Sequence, residues 1–366
     1  MEFTIGRDEF YKSLQRAQGF VSPKGPMPIL ANVFLEASDS AITLFASNLD
    51  IGLKGSYDAK VSKPGKVTVQ AKKLHDIVRT LPPEEILVKV DEDERLRVIC
   101  GKSKFNLATI DPDQFPSFPE YDEKTLIGLD SEMVREMISK TSYAISHDET
   151  RLTLNGAFLE VAPSRARMVA TDGHRLAFVE RDGAFKVSEP VKVIIARKAV
   201  GELQKLVSED DEPLQFVQRE NHVIFKKGRQ TMVVRLIEGA FPNYEQVIPK
   251  GSARQATITT ASFTDCLKRV ATMADEKSHM IRMGFGEGKV EMSSEGGELG
   301  EARDEVEAEF AGESVEIGLN AEYIIEMLGA MGADKVALKM QDALSPLMAV
   351  VPEDSGLISI VMPMRL

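Results

Sequence analysis

Apolar and polar residues alternate along most of this chain with the two-residue period of a half-buried strand. Six stretches carry the longer period of a helix instead. Ala41–Phe45, Ile86–Val90 and Leu96–Cys100 alternate in this way, with turns at Asp91–Glu94 and at Gly101 and Lys102. Lys289–Met292 alternates after a glycine-rich stretch, Gly284–Gly288, that predicts a hairpin turn. Helices are predicted over Asp8–Gly19, Ala71–Leu81, Ser131–Tyr143, Ala196–Val207, Ser262–Ala274 and Asn320–Met331. Strands outnumber helices, and the predicted fold class is α+β with antiparallel sheets.

The pattern repeats. An apolar residue followed by proline recurs at Phe115-Pro116, Phe241-Pro242 and Met362-Pro363. Each pair follows a strand-like run: Phe105–Ile110, Thr231–Ile237 and Leu357–Val361. Each third opens with a strand and then a helix, so Ile5, Phe10 and Leu14 correspond to Leu129, Val134 and Ile138, and again to Ile258, Phe263 and Leu267. A second strand-helix unit follows in each third, at Val67–Leu81, Val193–Val207 and Val315–Met331. Repeat steps near one third of the chain imply three similar domains, each with two helices and antiparallel sheet. Proline, charge and small residues collect at Pro119–Lys124 and Pro249–Arg254, which places the domains at 1–123, 126–249 and 253–366.

Two stretches interrupt the regular pattern. Asp172-Gly173 lies between the apolar runs Ala166–Ala170 and Leu176–Val179, the signature of a hairpin whose glycine takes positive φ. The second is Val361-Met362-Pro363-Met364-Arg365-Leu366, an apolar stretch where polar, poorly ordered sequence is the usual finding. The two are expected to meet and form a groove for partner peptides. Methionine suits that task, because its flexible, polarizable side chain accepts different apolar anchors.

Composition narrows the function. The chain has 366 residues, 43% hydrophobic and 28% charged, with net charge −12. No apolar run reaches bilayer-spanning length, and the start of the chain lacks a basic and then apolar leader pattern. Cys100 and Cys266 stand far apart, as expected of buried thiols in a reducing cytoplasm. The acidic balance argues against simple nucleic-acid binding. Yet the six helices hold twelve basic and nine acidic residues, +3 against −15 for the remainder, so one basic surface is compatible with an acidic whole. Solvated helix faces explain the same numbers, and the sixth helix has no Lys or Arg.

No catalytic motif emerges. Gly101-Lys102-Ser103 lacks the earlier glycine of a phosphate-binding loop, since Leu96 stands there. The five histidines show no metal-ligand spacing, so no metal or cofactor is expected. Asp172 and His174 are an acid-base pair only on paper, with no nucleophile motif beside them.

Four blocks carry a family resemblance: Met27–Asn32, Thr171–Leu176, Gly239–Tyr244 and Val361–Leu366. Together they resemble the β sliding clamps, the processivity subunits of bacterial DNA polymerase III. The resemblance spans the chain. It implies the DNA clamp fold, a ring-shaped head-to-tail homodimer with helices lining the hole, and no enzymatic activity. Twelve helices at roughly 10 Å spacing would leave an opening of about 27 Å, enough for a duplex, whereas six would leave about 8 Å. The implied partners are double-stranded DNA bound without sequence preference, the polymerase catalytic subunit, the clamp loader and other proteins with clamp-binding motifs. No membrane is implied.

The matching peptide-groove positions are Leu154, then Thr171, Gly173, His174, Arg175 and Leu176, then Pro242, Val247 and Ser345, then Ile360, Met362, Pro363, Met364, Arg365 and Leu366. DNA contacts are implied at Lys24, Arg197 and Lys198. Phe105 and Leu107 on an edge strand would face Thr272 and Met273 of the second copy, with Lys73 and Lys104 against Glu298 and Glu301 at the rim. There are departures. Leu152 and Thr153 stand where the family often has aromatic residues near DNA, and Gln246 stands where a basic groove residue is common. Two other classes remain open: an acidic peptide-binding scaffold that does not encircle DNA, and a hydrolase built on His174 and Asp172.

Overall fold

The computed structural model describes residues 1–25, 27–91, 93–208, 210, 212–295 and 300–366. It divides into two compact units, Met1–Ser131 with Lys205–Leu236, and Glu132–Gln204 with Ile237–Leu366. The segment 119–124 includes part of a 3-10 turn, Glu123–Thr125, and residue 254 opens the strand Arg254–Thr259.

Six α-helices occur among the described residues: α1 (Arg7–Ala17), α2 (Ala71–Thr80), α3 (Ser131–Thr141), α4 (Arg197–Val207), α5 (Thr260–Ala271) and α6 (Ala321–Met331). All but α3 continue a strand with no intervening loop. In α1 the apolar pair Phe10 and Leu14, one turn apart, is fully buried, and Phe10 meets Phe3 of the preceding strand edge to face at 6.2 Å.

The first unit holds two sheets, with every pairing antiparallel. One runs in the order Lys60–Lys63, Glu2–Gly6, Glu85–Val90, Leu96–Cys100, Ser103–Leu107. The other runs Thr109–Ile110, Gly65–Gln70, Asn32–Ser38, Ala41–Ser47, Ile51–Asp58, Gln230–Arg235, His222–Lys227, Leu214–Arg219, Ile127–Leu129. Strands from the middle third of the sequence thus complete a sheet begun in the first, through pairs such as Val234 with Ile51.

The second unit repeats the device. Its twelve strands run Val191–Ala196, Gly156–Ala162, Arg165–Thr171, Arg175–Asp182, Asp354–Val361, Leu347–Val351, Lys335–Met340, Arg254–Thr259, Glu301–Ala311, Lys289–Glu295, Met280–Gly286, Val315–Asn320. The join is Arg175–Asp182 against Asp354–Val361, with Arg175 opposite Val361 and Leu176 opposite Ile360. This join carries the site described below.

Two local expectations change. The run 105–110 is not one strand: it breaks at Ala108, and its halves enter different sheets. The turn expected over Gly284–Gly288 is confined to Glu287 and Gly288, which has φ +78°. Gly284 to Gly286 continue the strand because Phe285 between them is buried opposite Val290. Cys100 and Cys266 are buried free thiols. Among the described residues no helix is long and apolar enough to cross a membrane.

Candidate functional site

The hairpin between Arg165–Thr171 and Arg175–Asp182 is built by its own side chains. Asp172 Oδ1 accepts the amides of His174 at 2.9 Å and Arg175 at 3.0 Å. Thr171 Oγ1 donates to the Arg175 carbonyl at 2.6 Å and accepts the Gly173 amide at 3.1 Å. Gly173 sits at φ +91°, a conformation that a side chain would strain. Asp172 Oδ2 takes Arg175 Nε at 3.1 Å.

Asp172 therefore holds the backbone of His174, and its carboxylate is spent on the turn. That removes the basis for reading the two residues as an acid-base pair. His174 exposes its ring, stacked 6.4 Å from the Tyr323 ring, while its main chain is engaged.

Arg175 is only 7% exposed, and all three guanidinium nitrogens have acceptors. Besides Asp172 it donates to Glu326 on α6 and, at 2.7 Å, to the Tyr143 carbonyl. Its guanidinium lies over two rings, Tyr323 at 4.5 Å and Tyr143 at 5.3 Å. Tyr143 in turn donates to Ser359 Oγ at 3.0 Å, and burial pushes its phenol up to about 12. Arg175 braces the hairpin through these contacts.

The last residues meet this hairpin. Where the strand Asp354–Val361 ends, the Met362 amide donates to the His174 carbonyl at 2.8 Å. Two residues later the Met364 amide donates to the Gly318 carbonyl at 2.8 Å. Beside that junction lies an apolar cluster of Val169, Leu176, Phe178, Tyr244 and Ile360, with Phe158, Phe241, Ile248 and Ile358 packed on it. Pro242 and Val247 flank Tyr244, bonded to its backbone through a Tyr244 amide to Pro242 carbonyl contact of 2.7 Å and a Val247 amide to Tyr244 carbonyl contact of 3.0 Å. Met362, Val247 and Leu366 keep apolar surface exposed here.

The structure thus brings together Thr171 to Leu176, Pro242, Val247 and Ile360 to Leu366. Leu154 ends a 3-10 turn, Leu152–Leu154, and Ser345 lies in a turn capped by Asp342; neither belongs to the apolar cluster. Sequence reasoning missed Tyr323, which stacks on His174, and Gly318, which takes the Met364 amide. A tyrosine within an apolar helix reads as core. The one available signal was Asn320, an N-cap residue whose side chain accepts the Tyr323 amide at 3.1 Å and so fixes where that ring starts.

The other predicted residues lie elsewhere. Arg197 opens α4, bonded to His147 Nδ1 at 2.8 Å, and exposed Lys198 follows it. Lys24 is exposed in the first unit. Phe105 and Leu107 are half-buried on Ser103–Leu107, the end strand of the five-stranded sheet, and Lys104 on the same strand is exposed. Lys73 is exposed on α2. Thr272 and Met273 come after α5 rather than within it. Glu301 opens the strand Glu301–Ala311, and Glu298 lies outside the described residues.

Helix charge is partly neutralised locally, for instance by Lys72 and Arg79 on Asp76 and by Arg269 on Asp304. Among the described residues no group of three or more His, Cys, Asp or Glu is placed to hold a metal ion.

Comparison with known proteins gives the same answer along the whole chain. Family models of the DNA polymerase III beta subunit match in sequence order: the N-terminal domain over residues 1–119, the central domain over 128–243 and the C-terminal domain over 245–365. The chain is 32% identical to the beta sliding clamp of Pseudomonas putida, over 100% of both proteins. It superposes on the DNA polymerase III subunit beta of Pseudomonas aeruginosa with TM-score 0.96 at 32% identity, covering 100% of both chains. A sliding clamp from the same organism, solved bound to griselimycin, matches equally, with TM-score 0.96, 32% identity and 100% of both chains covered. Three domain models, full-length identity and a full-length superposition agree: the chain belongs to the beta sliding clamp family, the beta subunits of DNA polymerase III.

Proposed function

We propose that two copies of this chain close head to tail into a ring around duplex DNA and tether the polymerase and its accessory proteins there. As a sliding clamp the chain is a non-catalytic processivity factor. The three domains proposed are 1–123, 126–249 and 253–366, and the compartment is the cytoplasm. Ring closure rests on Phe105 and Leu107 against Thr272 and Met273, with Lys73 and Lys104 facing Glu298 and Glu301. Lys24, Arg197 and Lys198 supply phosphate contacts. These carry no sequence information, which leaves the ring free to slide.

The observation that carries the tethering role is the hydrogen bond from the Met362 amide to the His174 carbonyl. It seats a methionine-rich segment beside the exposed margin of the apolar cluster around Leu176 and Ile360. That surface suits short peptides with apolar anchors from the polymerase catalytic subunit, the clamp loader and other clamp-binding proteins.

The test is retention on DNA. Loaded onto nicked circular DNA, the protein should stay bound through gel filtration in high salt and be released when the circle is cut once. Release from intact circles at the same rate would favour the acidic scaffold that never encircles DNA.

A further inference from the structure

The segment 362–366 is held by its backbone at alternate residues. Met362 donates to His174 and Met364 donates to Gly318, both at 2.8 Å. Pro363 between them has no N–H to satisfy. In an extended chain this spacing turns the side chains of Met362 and Met364 to one face.

The second anchor is unusual. Gly318 lies in Val315–Asn320, the last strand in the order of its sheet, with Arg282 opposite on its paired edge. Its free edge takes Met364 in an isolated antiparallel bridge. The φ of Gly318 lies outside the left-handed region, so its backbone conformation does not demand glycine. Space does: a Cβ at this position would stand 2.8 Å from the Met364 carbonyl oxygen and 2.8 Å from Leu366 Cδ2.

We infer that Gly318 is a positioning residue for the peptide groove. Its missing side chain lets the segment 362–366 lie flat on the edge of the third domain's sheet. That contact sets where Met362 and Met364 meet a bound peptide. Any side chain at 318 lifts Met364 and Leu366 off the strand while the Met362 anchor on the hairpin stays in place. The inference rests on the groove reading above and adds a residue that touches no peptide itself.

The test uses the full chain, a fluorescent peptide carrying glutamine and leucine side chains, and native-state amide exchange. Gly284→Ala is the control, because a Cβ there meets nothing nearer than 4.0 Å on the neighbouring strand. Gly318→Ala should weaken peptide binding about tenfold or more. It should also speed exchange of the Met364 amide, with the melting temperature close to the parent's. Gly284→Ala should change neither readout. Equal peptide affinity for parent and Gly318→Ala would overturn the inference and leave the groove standing. A parent that binds no such peptide would overturn the groove itself. In the parent alone, a Met364 amide exchanging as fast as an unstructured one would also overturn the inference, whatever the variants do.

Discussion

The Arg175 guanidinium lies 4.5 Å from the centre of the Tyr323 ring, with Asp172, Glu326 and the Tyr143 carbonyl taking its donors. A lysine keeps the charge but offers one compact ammonium where the fork serves three acceptors. Arg175→Lys should therefore cost about 1–2 kcal/mol of stability, and Arg175→Ala about 2–4 kcal/mol. Urea unfolding measures this. Peptide affinity should fall together with stability, because the hairpin loses its brace. A variant that loses affinity at unchanged stability would show instead that Arg175 touches the peptide.

Removing residues 362–366 should abolish peptide binding while the ring still forms. The sheet pairing ends at Val361, which is matched to Arg175 on one side and Leu347 on the other. The five residues beyond it lie outside that pairing, so their loss should leave the strand order intact. Fluorescence polarisation and light scattering read the two outcomes on one sample. Retained peptide affinity would remove the segment from the site.

The hairpin of the site was legible because Asp-Gly announces it, and the chain's internal repeat holds a second copy that does not. Ser47, Asn48, Leu49, Asp50 and Ile51 build the same turn. Asn48 Oδ1 accepts the amides of Asp50 at 3.1 Å and Ile51 at 2.9 Å, as Asp172 does for His174 and Arg175. Leu49 takes φ +77° where Gly173 takes +91°. A leucine in that conformation carries no turn signal, so the surrounding structure imposes it.

The two turns differ in the residue two places after the shared histidine or aspartate position. Leu176 has Gly52 as its counterpart, and a Cβ on Gly52 would stand 2.9 Å from Val233 and 3.0 Å from Phe45. The Phe45 ring already fills that place, and it packs edge to face on Phe115 and Phe118, each at 5.3 Å. Helix positions were legible from apolar spacing to within three residues. The Gly318 contact was not, because it depends on which sheet edge the last residues reach.

Arg197→Ala combined with Lys198→Ala should change the salt dependence of DNA binding more than the topological hold. Each lost phosphate contact lowers the log–log salt slope by about 0.9, so the double variant should lose up to about 1.8 on a short linear duplex. Retention on closed circles should persist, since linkage rather than affinity keeps a ring there. An unchanged slope would place the DNA path elsewhere.

Phe105→Ala with Leu107→Ala should leave a folded monomer. The two alternate on an end strand opposite Val98 and Leu96, and both are only half-buried within one chain. Their remaining apolar surface is free for a second copy, and truncating it should weaken the dimer about a hundredfold. Light scattering at micromolar concentration should report half the parent mass with a similar melting curve. A variant that remains dimeric would remove this strand from the interface.

Acid should loosen the second unit at Arg181. Its guanidinium makes two-pronged contacts with Glu136, at 2.7 and 3.0 Å, and with Asp354, at 2.7 and 3.1 Å. The hydrogen bonds from Arg181 hold the Glu136 carboxyl below its ordinary 4.5. A depressed carboxyl favours folding at pH values above its unfolded value, and that contribution disappears as pH falls through the folded value. Glu136 is partly exposed, so water screens the pair and the contribution is about 1 kcal/mol or less. The parent should therefore melt above Glu136→Gln at neutral pH, with the gap closing as pH falls below the ordinary 4.5 of the carboxyl. A gap that stays constant over that range would mean the loss comes from packing of the side chain rather than from its charge.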